Sequence, residues 1–110
     1  MKALFILGVL LVAGVTNSSQ QVRFCNLRGL VNIAEEKAHA DFIVYEEESE
    51  AFADFLVYEE ENRLYATEEG IWFFVENRGI ADFSIYFTKS RGEEDFRIAF
   101  TDSPTFAGCD

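Results

Sequence analysis

The chain is poor in the residue types on which most enzymes and metal sites depend. Among 110 residues it has one histidine, His39, two cysteines, Cys25 and Cys109, and a single proline. A structural zinc site needs four ligands, and a nucleophilic triad needs a histidine beside a nucleophile and an orienting acid. Asp41 lies two residues from His39, an arrangement more typical of a turn than of a catalytic pair. The sequence therefore predicts no catalytic residue, no metal and no cofactor.

Basic residues are also scarce, since 9 Lys and Arg stand against 20 Asp and Glu, a net charge of −11. Phosphate backbones and anionic lipid headgroups repel a surface of this charge. No glycine-rich phosphate loop and no cluster of basic residues is present. These features exclude nucleic acid as a partner, and the acidity is typical of a solubilising surface.

A long apolar run occurs only at the N-terminus. Lys2 precedes the run from residue 3 to residue 15, and small polar residues follow it up to Ser19. The run is shorter than the ~20 residues that cross a bilayer, and this order is typical of a secretory signal peptide. We predict a signal peptide at 1–18, one domain at 19–110, and an exported protein, periplasmic or extracellular, with no membrane anchor after cleavage. The mature chain then carries a net charge of 8 − 20 = −12.

The two cysteines stand near the two ends of the mature chain. In an exported protein a pair of cysteines most often forms one disulfide, so we predict a bond between Cys25 and Cys109. The alternative is two independent thiols, one of them buried as a small apolar residue.

One phrase is repeated along the chain. Ala-Asp-Phe-x-Val-Tyr-Glu-Glu-Glu occurs at 40–48 and 53–61, and looser copies occur at 70–75, 81–87 and 94–100. The leading aspartates recur 13 positions apart, from Asp41 to Asp54 and from Asp82 to Asp95, and about two residues are inserted before the degenerate copy at 70–75. A fixed short period is typical of one strand-and-turn unit used many times.

Apolar and aromatic residues alternate within each copy, and this period of two predicts β-strands. The residues expected to face the core are Phe42, Val44, Phe55, Val57, Trp72, Phe74, Phe83, Ile85, Phe87, Phe96, Ile98 and Phe100. With two weaker strands at Gln21–Cys25 and Leu30–Ile33, we expect an all-β domain of about seven or eight short strands. Periodicity by itself favours a β-solenoid or a small barrel.

The aspartates that open four of the copies have a structural interpretation. An Asp carboxylate can accept hydrogen bonds from backbone N–H groups two residues further on and so fix a turn. We assign this role to Asp41, Asp54, Asp82 and Asp95. The last two copies have small or polar residues on their second face, so we expect their strands to lie nearer the surface than the others.

The residues of several copies resemble one known family. The Ala-Asp-Phe-x-Val/Ile-Tyr phrase, the strand Ile71–Val75, the strand at 81–87 and the ending Phe106-Ala107-Gly108 resemble the septoil-knot domain. This is a family of small bacterial proteins of uncharacterised activity, and the resemblance covers roughly residues 21–109. It implies a compact β-domain whose backbone winds through itself into a torus knot of seven crossings and resists unfolding. It implies no catalytic residue.

We therefore expect a stable, non-enzymatic structural or interaction module, monomeric, with an unidentified protein or surface partner. Two alternatives stay open. The acidic clusters at 46–48, 59–61 and 68–69 supply the oxygen ligands that Ca²⁺ prefers, which suits an adhesion module. A pair of carboxylates about 5–10 Å apart would suit a small hydrolase.

Overall fold

Six short strands make up the regular structure. The computed structural model describes residues 24–109, so the predicted signal peptide and residues 21–23 of the first weak strand lie outside the described residues. The strands are β1 (Gly29–Ile33), β2 (Phe42–Glu46), β3 (Phe55–Glu59), β4 (Ile71–Val75), β5 (Phe83–Phe87) and β6 (Phe96–Phe100). This confirms the all-β prediction, with six strands in the described part because residues 24 and 25 lie in a helical turn. Within residues 24–109, no helix is long and apolar enough to span a membrane.

All six strands pair in parallel and close into a barrel in the order β1-β4-β3-β6-β2-β5. Going from β1 to β2, and again from β2 to β3, the chain skips one position of the ring, which another strand occupies. It moves a single place from β3 to β4, where the inserted residues lie, and then passes over one place again to β5 and β6. The second set of three strands thereby fills the gaps left by the first set. This is the small barrel named as an alternative, and not a solenoid.

The barrel interior is filled by apolar side chains that alternate along each strand. All twelve residues expected to face the core lie in the buried cluster or pack against it. Trp72 lies at the centre with no exposed surface, and its ring packs edge to face with Phe83 at 5.3 Å and Phe74 at 6.2 Å. Its Nε1–H donates to the carbonyl of Leu27 at 3.1 Å, so its polar atom is satisfied. Phe24 stacks on Phe96 at 4.6 Å and packs against this cluster.

The connections form an outer layer around the barrel. Each connection that skips a strand of the ring runs across the outside of that strand. The segment between β2 and β3 shows the pattern. At its start, the backbone N–H of Glu47 donates to the carbonyl of Ile98 at 2.7 Å. At its end, the backbone N–H of Asp54 donates to the carbonyl of Arg97 at 2.8 Å, so the segment is bonded to β6 at both ends. The crossing segments are 34–41 over β5, 47–54 over β6, 76–82 over β1, 88–95 over β2 and 101–108 over β3.

The crossing segments correct the expectation that the last two strands lie nearer the surface. The small outward residues of those strands, Ser84 and Ala99, are only 2% and 1% exposed. Ser84 is bonded to the segment 34–41, and β6 contacts the segment 47–54. Small side chains are needed there because another stretch of backbone lies directly above them.

The crossing segments also interlace the two sets of strands. Segments that leave the first set pass over β5 and β6, whereas segments that leave the second set pass over β1, β2 and β3. Neither set can therefore be lifted off the other unless a chain end is threaded back through the structure.

Candidate functional site

The four repeated aspartates hold the crossing segments to the strands beneath them. Each backbone N–H donates to the carbonyl of the second residue of a crossed strand, and each carboxylate accepts the N–H of that same residue. The four Asp clamps are Asp82 on Leu30 (2.7 and 2.8 Å), Asp95 on Ile43 (2.6 and 2.7 Å), Asp41 on Ser84 (2.9 and 2.7 Å) and Asp54 on Arg97 (2.8 and 2.9 Å).

These contacts correct the prediction of local turn bonds. The partners of Asp41 and Asp54 lie 43 positions away, and those of Asp82 and Asp95 lie 52 positions away. Each Asp lies at the end of its crossing segment, directly before the next strand begins, and its backbone N–H donates to a carbonyl of the crossed strand. The short Asp side chain supplies the acceptor that completes the two-way pairing, and a charge-assisted bond of this kind is stronger than a neutral one.

A fifth clamp uses backbone alone. The N–H of Leu56 donates to the carbonyl of Gly108 at 3.0 Å, and the N–H of Gly108 donates back to Leu56 at 2.7 Å. Gly108 has a φ of +101°, which favours glycine, and it meets Gly70 so closely that a Cβ on Gly70 would lie 2.3 Å from the Gly108 nitrogen. The next residue, Cys109, is bonded to Cys25 with an S–S distance of 2.07 Å. The predicted disulfide is thus present, and it fastens the C-terminal tail beside the start of the described chain.

Charged side chains converge where the segment 88–95 crosses β2. Glu47 is 6% exposed, with Arg91 Nη2 3.2 Å from Oε1 and Arg97 Nη1 3.9 Å from Oε2. The Arg91 guanidinium lies 4.8 Å from the centre of the Tyr45 ring. Contact with Tyr45 and the charge of Glu47 raise the pKa of Arg91, so the group stays cationic. Beside it is an open pocket of about 480 Å³, lined also by Glu48, Ser49 and Phe52.

Two further glutamates hold the same segment. The Thr88 hydroxyl and the Lys37 ammonium, 2.9 Å away, both donate to Glu93 and lower its pKa. The N–H of Gly92, 2.6 Å away, lowers the pKa of Glu94, as do its own backbone N–H and Arg97. These carboxylates are therefore ionised near neutral pH and engaged in ion pairs. The two ion pairs join the segment 88–95 to Lys37 of the segment over β5 and to Arg97 of β6. About half of the Arg91 side chain stays exposed beside the pocket.

The other residues considered for chemistry do not converge. His39 is exposed and pairs with Glu36 at 3.5 Å, while the Asp41 carboxylate is bonded to Ser84. In the acidic clusters, Glu47 faces arginines and Glu60 accepts from the N–H groups of its own turn. Among residues 24–109, no three His, Cys, Asp or Glu side chains are arranged to hold a metal ion.

Comparison with known protein families finds one whose described fold agrees with the interlaced barrel. The model of the 7(1) septoil knot domain matches residues 24–110. The chain belongs to this family. The family description names a knot of seven crossings, and the winding of this septoil-knot domain agrees with it. No curated protein matches the chain, and no solved structure matches it.

Sequence reasoning missed the fifth clamp of the septoil-knot domain, although a signal for it exists. Gly108 lies 13 positions after Asp95, so the repeat period extends to the place where the backbone takes over from a carboxylate. The cluster around Glu47 had no such signal, because its partners come from the segment 88–95 and from β6.

Removing one Asp clamp is expected to destabilise the fold. In Asp41→Ala the N–H of Ser84 loses its acceptor in a part-buried site, so we expect a loss of about 1.5–3 kcal/mol in the free energy of unfolding. Asp41→Asn keeps an acceptor oxygen and should recover most of the loss. The matched control is Asp102→Ala, an exposed acid that forms no such clamp among the described residues, with an expected change within about 0.5 kcal/mol. Denaturant unfolding measures all three variants, and equal losses in Asp41→Ala and Asp102→Ala would contradict a clamp.

Proposed function

We propose that the protein is an exported, non-enzymatic module whose role depends on the persistence of its fold and on the surface that the fold presents. The observation that carries this proposal is where the repeated residues lie. The four aspartates bond to crossed strands, and the aromatic residues that follow them pack in or against the core. This placement supports a scaffolding role for the recurring residues of the chain.

Two features support export. The segment 1–18 has the order of a signal peptide, and Cys25 and Cys109 form a disulfide, which persists in oxidising compartments.

Export is tested by producing the full chain in a bacterial host and measuring intact masses in each fraction. We expect the mature chain, without about the first 18 residues, outside the cytoplasm. Its mass should also be lower by the two hydrogens lost to the disulfide. Full-length protein retained in the cytoplasm with two thiols open to alkylation would contradict the proposal.

The calcium and hydrolase alternatives have weaker support. Glu47, the buried carboxylate beside the pocket, faces Arg91 and Arg97 and not a second carboxyl group. We expect isothermal titration with millimolar Ca²⁺ to give no binding heat, because the acidic clusters offer no converging set of ligands within the described residues. A saturable heat that disappears when Glu59 and Glu61 are changed to Gln would instead favour the calcium role.

A further inference from the structure

The 3-10 turns between the strands carry an unexpected set of exposed apolar side chains. Four of the five 3-10 turns end in a large apolar residue that faces solvent. These residues and their exposed fractions are Phe52 (66%), Tyr65 (65%), Ile80 (48%) and Phe106 (65%). Leu64, in the same turn as Tyr65, is 75% exposed. None of them belongs to the core cluster or packs against it, so the fold does not explain their size.

Three of these four turns lie on neighbouring or nearly neighbouring strands of the ring, and the fourth lies in the connection between two of those strands. The turn Arg78–Ile80 lies on β1, Pro104–Phe106 on β3 and Glu50–Phe52 on β6, and Arg63–Tyr65 lies in the segment that joins β3 to β4. The strands β1, β4, β3 and β6 are consecutive in the ring. We call the outer surface of these four strands the apolar arc. The remaining strands, β5 and β2, are crossed by segments that expose charged residues of both signs in place of large apolar ones. These are Glu35, Glu36, Lys37 and His39 over β5, and Lys89, Arg91 and Glu93 over β2.

The apolar arc is embedded in negative charge. Most of its turns are flanked by exposed acids; Arg63 and Arg78 are the exposed bases on the segments that carry the arc, and Arg91 lines the same pocket as Phe52. The flanking acids are Glu48, Glu50, Glu61, Glu68, Glu69 and Glu76. A partner that covers the arc must therefore supply apolar side chains and positive charge together. A second copy of this chain does not meet that requirement, because two chains of net charge −11 repel each other.

We propose that the apolar arc binds a cationic amphipathic segment of another polypeptide, with Phe52 and Phe106 as the main aromatic contacts. This inference deepens the interaction role proposed above and rests on it. Aromatic side chains are favoured at such contacts because they bury a large area at little entropic cost, and the surrounding acids attract and orient a basic partner.

The experiment uses the oxidised mature protein and a labelled synthetic peptide of leucine and lysine patterned as an amphipathic helix. A second peptide of equal length and charge has serine in place of leucine. Fluorescence anisotropy at physiological salt should show that the serine peptide binds at least about tenfold more weakly. The double variant Phe52→Ser/Phe106→Ser should bind the leucine peptide more weakly than the native protein does, by a similar factor. The matched control is His39→Ser. His39 occupies the last position of the turn Lys37–His39, on the opposite side of the barrel from the arc, so this change should leave binding unchanged.

Three outcomes would overturn the proposal. Equal affinity for the two peptides would mean that net charge alone attracts them. Equal weakening by His39→Ser would mean that the arc is not the contact. A concentration-dependent dimer in sedimentation, abolished by Phe52→Ser/Phe106→Ser, would identify a second copy as the occupant. The export measurement is independent of all three, so failure of the arc and failure of the proposed function can be told apart.

Discussion

After denaturation with its disulfide intact, the protein is expected to regain its fold much faster than the reduced chain does. The bond joins residues 84 positions apart and closes the interlaced path into a covalent ring. Denaturant can disorder such a ring without undoing its knot, so refolding then needs no threading of a chain end. The reduced chain must thread its end again. Stopped-flow measurement of Trp72 fluorescence after dilution from denaturant, with and without reductant, compares the two rates.

The control for this comparison is the double variant Cys25→Ser/Cys109→Ser, which should refold slowly whether or not reductant is present. Its stability should also fall, since a loop of this length contributes roughly 4–5 kcal/mol in the chain-entropy model. Refolding times of the native protein that do not depend on reductant would contradict the idea that the bond preserves the knot.

Trp72→Ala is expected to have the largest effect among single substitutions in the core. The side chain is fully buried, packs against Phe55, Phe74 and Phe83, and donates to the Leu27 carbonyl. Its truncation should cost about 3–5 kcal/mol, a large part of the stability of a small domain. Circular dichroism during denaturant unfolding measures this loss, since the variant has no tryptophan.

Two further variants make the Trp72 test specific. Trp72→Phe keeps an aromatic ring but lacks the N–H that Leu27 accepts, so it should fall between the native protein and Trp72→Ala. Tyr65→Ala removes an aromatic residue that is 65% exposed and should change the free energy of unfolding by no more than about 0.5 kcal/mol. Similar losses in Trp72→Ala and Tyr65→Ala would contradict the central role of Trp72.

The strands and the core could be predicted from the sequence because their signals are local. Alternation along each copy places residues such as Val44 and Ile98 on the inward face, and both have no exposed surface. The strand order could not be predicted in this way. It depends on which strand each segment crosses, and no pattern within a 13-residue unit specifies a partner 43 or 52 positions away.

The same limit explains what sequence reasoning missed at the surface. Small residues such as Ala99 are typical of an exposed or weakly packed face, yet here they lie beneath a crossing segment. Glu47 belongs to a run of three glutamates that is typical of a solvated loop, but it is buried because arginines from two other parts of the chain surround it. The Asp clamps were assigned a local role for the same reason, since their true partners are distant in sequence.

The position of Cys25 and Cys109 also imposes an order of events on maturation. Whatever path the backbone follows at the moment of oxidation is retained for as long as that bond survives. If the disulfide forms before the chain has threaded, the product is an unknotted ring that cannot reach the native barrel until the bond is reduced. The yield of correctly folded protein should therefore depend on the rate of threading relative to the rate of disulfide formation.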